Sequence, residues 1–153
     1  MSRTLAIDPG SERSAWVLFE DGEPTMFAID ANVIVVSMCD SMSIRNDPAH
    51  FTVVIEKIAS YGMAVGAEVF ETVRWAGRFE QAAQPAPVVR IPRLAVKLAL
   101  CHDSRAKDAN VRRAVIDRFG GDAAIKKGGP LHGASKDVWA ALAVGLTYLE
   151  ETP

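Results

Sequence analysis

Leu5-Ala6-Ile7-Asp8-Pro9-Gly10-Ser11 is the stretch on which the reading of this chain turns. An apolar run ends in one acid and is broken by Pro-Gly. A second apolar-rich run, Ala15-Trp16-Val17-Leu18-Phe19, follows at once. That pattern is a strand, a tight turn and a strand folding back, with a carboxylate at the first strand's end. Two further acids stand in comparable places. Val53-Val54-Ile55-Glu56 is another strand closed by an acid, and Asp137 opens the closing helix just before Trp139-Ala140-Ala141-Leu142-Ala143-Val144.

Working outward, the punctuation predicts an antiparallel meander over residues 3–8, 14–20 and 25–30, with turns at Pro9-Gly10 and Asp21-Gly22. Residues 31–45 are read as a helix crossing to strand four, although Val33-Ile34-Val35-Val36 has strand propensity. Strand four spans 52–56. A helix over 64–79 follows, its inner stripe assigned to Val65, Val69, Val73 and Ala76. A short fifth strand (88–91), helices over 94–100 and 110–119, a Gly- and Lys-rich loop and a last helix over 136–150 complete the chain. In that helix Val138, Leu142, Gly145, Leu146 and Leu149 face inward. The expected architecture is α/β: a central mixed five-stranded sheet, an antiparallel meander plus parallel strands, flanked by helices.

Parity gives the acids a common edge. Thr4, Ala6 and Asp8 share one face of strand one, and Thr52, Val54 and Glu56 share one face of strand four. If the two strands are parallel neighbours, about 4.8 Å apart, their terminal carboxylates can share a cation. Open α/β sheets place their sites at that edge.

The chain of 153 residues, 49% apolar and 24% charged, suits one globular domain spanning 1–153. No run reaches the ~18 apolar residues of a membrane span and no signal peptide is visible, so a cytoplasmic setting without membrane contact is expected. Cys39 and Cys101 lack metal-site spacing and read as free thiols. The net charge of −2 conceals an asymmetry. Residues 1–73 carry 4 Lys/Arg against 11 Asp/Glu, whereas residues 74–127 carry 12 against 5. The middle segment is therefore either a basic face for phosphates or a solvated helix surface.

Converging carboxylates without a basic partner repel one another or take up protons. A hard divalent cation, Mg²⁺ or Mn²⁺, resolves this with few carboxylates, leaving room for water and substrate phosphate. Two such ions about 4 Å apart, once substrate is bound, suit phosphodiester hydrolysis. Each acid also has a plain structural explanation. Asp8 suits a turn before Pro-Gly, Glu56 a strand end, and Asp137 the first turn of a helix.

Four segments, in order, resemble the RuvC family of Holliday-junction resolvases, most of all its phage-encoded branch. They are Leu5 to Ser11, Val54-Ile55-Glu56, Ser104-Arg105-Ala106-Lys107-Asp108-Ala109-Asn110-Val111, and Asp137-Val138-Trp139-Ala140-Ala141-Leu142-Ala143-Val144. Ile58-Ala59-Ser60-Tyr61-Gly62-Met63 and Gly129-Pro130-Leu131 look typical of the phage branch. The resemblance implies a ribonuclease-H-like fold and a metal-dependent crossover junction endonuclease. It also implies Asp8, Glu56 and Asp137 as catalytic metal ligands, branched DNA as substrate and a homodimer. One departure stands out: the family's second helix acid is replaced by Ala140, leaving three carboxylates, with His132 a candidate substitute ligand.

For DNA, Arg105 and Lys107 precede a helix and are first choices for backbone phosphates, joined by Arg112 and the loop pair Lys126 and Lys127. Tyr61 and Met63 are candidates for a wedge at a branch point. The helix over 64–79, with Phe70, Trp75 and Phe79 off its inner stripe, is the candidate dimer surface. Competing readings are a related nuclease acting on flaps or structured RNA, a junction-binding protein without activity, and an actin-like ATPase. The last needs a second domain for which the chain has no room.

Overall fold

The structure, a computed structural model, describes residues 1–152. Three strands form the meander: β1 (Arg3–Asp8), β2 (Arg13–Glu20) and β3 (Glu23–Ala31). Helix α1 (Asn32–Arg45) crosses to β4 (Phe51–Lys57), and α2 (Ala67–Ala83) leads to β5 (Val88–Pro92). Helices α3 (Arg93–Cys101) and α4 (Asp108–Arg118), a 3-10 turn (Gly121–Ile125) and α5 (Val138–Glu151) follow. The sheet order is β3-β2-β1-β4-β5. The meander is antiparallel; β1, β4 and β5 run parallel. This is the mixed five-stranded sheet with flanking helices that the sequence predicts.

Strand alternation divides the interior into two layers. Leu5, Ile7, Val53 and Ile55 pack with Val35, Cys39 and Phe79 on the face covered by α1 and α2. Ala6, Val17, Phe19 and Val54 pack with Leu142, Leu146 and Val115 on the opposite face, under α3, α4 and α5. Each fully buried Leu, Val or Phe contributes about 1.5–3 kcal/mol relative to exposure. Among the described residues, no helix is long and apolar enough to cross a membrane.

The stripe assigned to α2 needs correction. The helix begins at Ala67, so Val65 precedes it, and it runs on to Ala83. Its buried side is Ala76, Phe79 and Ala83, while Val73 is 46% exposed. Phe79 is fully buried and therefore lies in the core, not at a dimer surface; Phe70 is 65% exposed. Spacing by valines misled because Phe79 outweighs any valine in area removed from water.

Two close approaches fix the elements that carry the acids. A Cβ at Gly145 would lie 2.4 Å from Phe19 Cε2 and 2.8 Å from Ala6 Cβ, so glycine lets α5 settle directly onto β1 and β2. A Cβ at Gly10 would lie 2.1 Å from the Arg13 carbonyl oxygen. The same turn is tied by a buried network. Gly10 N–H donates to Ser14 Oγ (3.0 Å), Ser14 Oγ to Asn32 Oδ1 (2.5 Å), and Asn32 Nδ2 to the Gly10 carbonyl (2.9 Å). Fully satisfied buried polar groups of this kind specify one geometry, here for the turn that follows Asp8.

Candidate active site

The β1–β4 ladder pairs Ala6 with Val54 and Ile7 with Ile55, so Asp8 and Glu56 come next, at the carboxyl ends of parallel neighbours. Ala6 and Val54 face the α5 layer, and by alternation so do the two acids. Asp137 occupies the position capping the N-terminus of α5 but makes no side-chain capping bond, leaving its carboxylate free. All three line one cleft of about 130 Å³ between the sheet edge and α3, α4 and α5. The preceding residue, Lys136, is left-handed (φ 49°) and also lines the cleft. Such a backbone costs a non-glycine residue about 1–2 kcal/mol.

Glu56 is 8% exposed and Asp8 half-buried. Burial pushes the Asp8 carboxyl up to about 9; its hydrogen bond with Glu56 and the charges of Glu56 and Asp137 push the same way, and Arg93 opposes them. That shift favours the protonated form of Asp8 at neutral pH, first because burial strips water from its carboxyl and then because Glu56 and Asp137 stand close by. Oxygen donors crowded at one sheet edge are what a hard divalent cation would take in place of a proton, so the donor set would suit Mg²⁺ or Mn²⁺. The fit is centred on Asp8 and Glu56. Among the described residues no group of three His, Cys, Asp or Glu side chains is drawn together tightly enough to form a ready cluster, and Asp137 is the exposed member at the cleft mouth. Ala140 lines the cleft. His132 is absent from the lining, and its Nδ1 lies 3.2 Å from the Ile125 carbonyl oxygen.

The basic residues divide. Arg112 lines the cleft and its guanidinium lies 4.6 Å from the centroid of Trp139, a cation–π contact that presets its direction. Arg105, Lys107, Lys126 and Lys127 are exposed and lie outside the cleft lining. The Lys107 backbone N–H donates to Asn110 Oδ1, which caps α4. Arg113 is occupied by Asp117 and Asp122, which push its pKa up while Arg113 holds the Asp122 carboxyl below its usual range. Tyr61 and Met63 are exposed in the turn after β4, 60% and 71%.

Four charged cleft residues are not among the site candidates drawn from the sequence: Arg93, Lys97, Asp108 and Lys136. Arg93 is the first residue of α3, immediately after β5, with Nη1 4.0 Å from Glu56 Oε1 and its other nitrogen paired with Asp108. Its signal was available: it sits at the carboxyl end of a parallel strand, the edge where the acids were sought.

No protein-family model matches the chain, and no curated protein matches it by sequence. Solved structures do. A Thermus thermophilus RuvC structure aligns over 96% of this chain and 93% of that one, at 18% identity and a TM-score of 0.68. Thermus thermophilus RuvC in complex with a Holliday junction substrate aligns over 97% and 93%, again at 18% identity, with a TM-score of 0.72. At this identity the likeness shows the fold: the chain has the mixed five-stranded, helix-flanked sheet of the ribonuclease-H-like class.

Proposed function

We propose that this chain is a divalent-metal-dependent endonuclease that hydrolyses phosphodiesters in branched DNA, most specifically a Holliday-junction resolvase. The carrying observation is the pairing of Asp8 and Glu56 across parallel neighbours in a cleft that also holds Asp137 and several cations. The structural likeness to a RuvC bound to a junction supports the substrate class.

Asp8 and Glu56 would hold the ion from the sheet edge, and Asp137, free of capping duty, would complete the set from α5. When bound there, Mg²⁺ or Mn²⁺, two ions once substrate adds its oxygens, supplies Lewis-acid polarisation of the phosphodiester. Lys97, Lys136 and Arg112 neutralise the phosphate backbone that enters the cleft, with Arg112 held in direction by Trp139. Arg105, Lys107, Lys126 and Lys127 extend the cationic path beyond it. Tyr61 and Met63, exposed just past Glu56, are placed to touch bases at a branch point.

Symmetric cutting of a four-way junction needs two such sites, so the working form is a homodimer of one-domain protomers. The segments that resemble the phage-encoded branch favour a role in phage recombination or genome processing, in the host cytoplasm. The test is a cleavage panel of four-way junction, flap, duplex and structured RNA, with Mg²⁺ and with EDTA. Junction cleavage that EDTA abolishes is expected. A preference for flap or RNA would replace the substrate assignment, and EDTA-resistant cleavage would refute the metal mechanism.

A further inference from the structure

Arg93 spans two carboxylates of unlike surroundings. Nη1 faces Glu56, whose side chain is 11% exposed at the cleft floor. The other nitrogen pairs with Asp108, which is 81% exposed. Arg93 itself is 47% exposed, so its guanidinium is half in water and bound at no deep cost. Lys97, Lys136 and Arg112 line the same cleft with no ion pair among the described residues. Arg93 is thus the cleft's one masked cation, set against an acid of the candidate metal site.

We propose that Arg93 is an exchangeable counter-ion of the metal site: it balances Glu56 while no divalent ion is present, and gives way toward Asp108 and the DNA phosphate when one binds. This rests on the metal-dependent reading above. The physical reason is charge. A divalent ion at Glu56 stands within a few ångströms of the guanidinium, and like charges at that range repel strongly in a partly desolvated cleft. Asp108 already holds the outer end of the guanidinium, whereas Glu56 lies 4.0 Å from Nη1, so the group can leave Glu56 without losing its partner, which makes Asp108 a positioning residue acting through Arg93. A guanidinium released beside the carboxylates is suited to a phosphate oxygen, whose geometry matches its planar fork.

The inference separates metal affinity from activity. Arg93→Gln removes the competitor, so Mn²⁺ affinity of the DNA-free protein rises about three- to tenfold, while junction cleavage falls. Arg93→Lys keeps the charge and returns the affinity toward the wild-type value. Asp108→Asn lets Arg93 settle on Glu56 and weakens Mn²⁺ binding, but that loss disappears in the Arg93→Gln background. Calorimetric Mn²⁺ titration of the four proteins and the double variant, each checked for native circular dichroism, reads all of this.

Unchanged affinity in Arg93→Gln overturns the inference, as does Arg93→Lys tracking Gln, or an Asp108→Asn effect of equal size in both backgrounds. Those results leave the metal reading standing as long as the wild type binds Mn²⁺ and Glu56→Gln does not. A wild type that binds no Mn²⁺ overturns both.

Discussion

If Asp8 and Glu56 hold a divalent ion as proposed, the proton on Asp8 would make that binding a pH-dependent exchange. Asp8, pushed up to about 9, holds its proton at pH 7 and donates it toward Glu56. An ion binding at that edge displaces it. Ionising a carboxyl about two units below its pKa costs about 3 kcal/mol at 1.36 kcal/mol per unit. Affinity at pH 7 should therefore fall roughly a hundredfold short of its limit above pH ~9, and should climb about tenfold per pH unit between. Mn²⁺ calorimetry from about pH 6 to about pH 8, run in two buffers of different ionisation enthalpy, measures affinity and protons released together. The wild type should release about one proton per ion, and Asp8→Asn should bind more weakly and release none. A wild-type affinity independent of pH, with no proton release, would refute the reasoning.

The same proton contributes to the pH dependence of stability when no divalent ion is present. The folded pKa of Asp8 is raised from 3.8 to about 9, so the folded state binds more protons than the unfolded state across that window. Stability from this group is present below about pH 4 and is lost as pH rises toward about 9; urea denaturation with EDTA should show the decline, and saturating Mn²⁺ should suppress it. Gly145→Ala should cost about 1–3 kcal/mol of stability by overpacking against Phe19 and Ala6, with cleavage falling as α5 shifts Asp137; unaltered urea midpoints would count against this packing account. Arg112→Ala should weaken junction binding and lower the slope of log K against log salt by about 0.7–0.9. Arg113→Ala should leave the slope alone, because Asp117 and Asp122 already occupy that guanidinium.

The sheet was legible because its signals are local. Alternation in Leu5-Ala6-Ile7 and Val53-Val54-Ile55, with Pro9-Gly10 and Asp21-Gly22 as turns, marks β1, β2 and β4 without tertiary knowledge. Helix α1 was harder. Its Val33-Ile34-Val35-Val36 run favours a strand by propensity, but buried Asn32, bonded to Gly10 and Ser14, starts a helix there. The inner stripe of α2 was misread because its packing side is decided by Phe79, which periodicity alone cannot rank above the valines.

Asp8, Glu56 and Asp137 could be picked out because strand ends and helix starts are sequence features, and the fold brings them to one cleft. Arg93 could have been, from its place directly after β5, whereas Lys97 and Asp108 reach the cleft only through the packing of α3 and α4 beside α5. Ion pairing is equally invisible in a list of basic residues. It removes Arg113 from the free cations and leaves Arg112 available.

The central claim is that Asp8, Glu56 and Asp137 act together on DNA. Its most direct test is single-turnover cleavage of a four-way junction in Mg²⁺ by Asp8→Asn, Glu56→Gln and Asp137→Asn, with junction binding measured on the same preparations. Cleavage should be abolished in all three while binding stays intact or strengthens, because removing negative charge does not weaken attraction to phosphate. Wild-type cleavage by Asp8→Asn or Glu56→Gln would contradict the site at the sheet edge, and wild-type cleavage by Asp137→Asn would reduce that acid to a residue at the start of a helix.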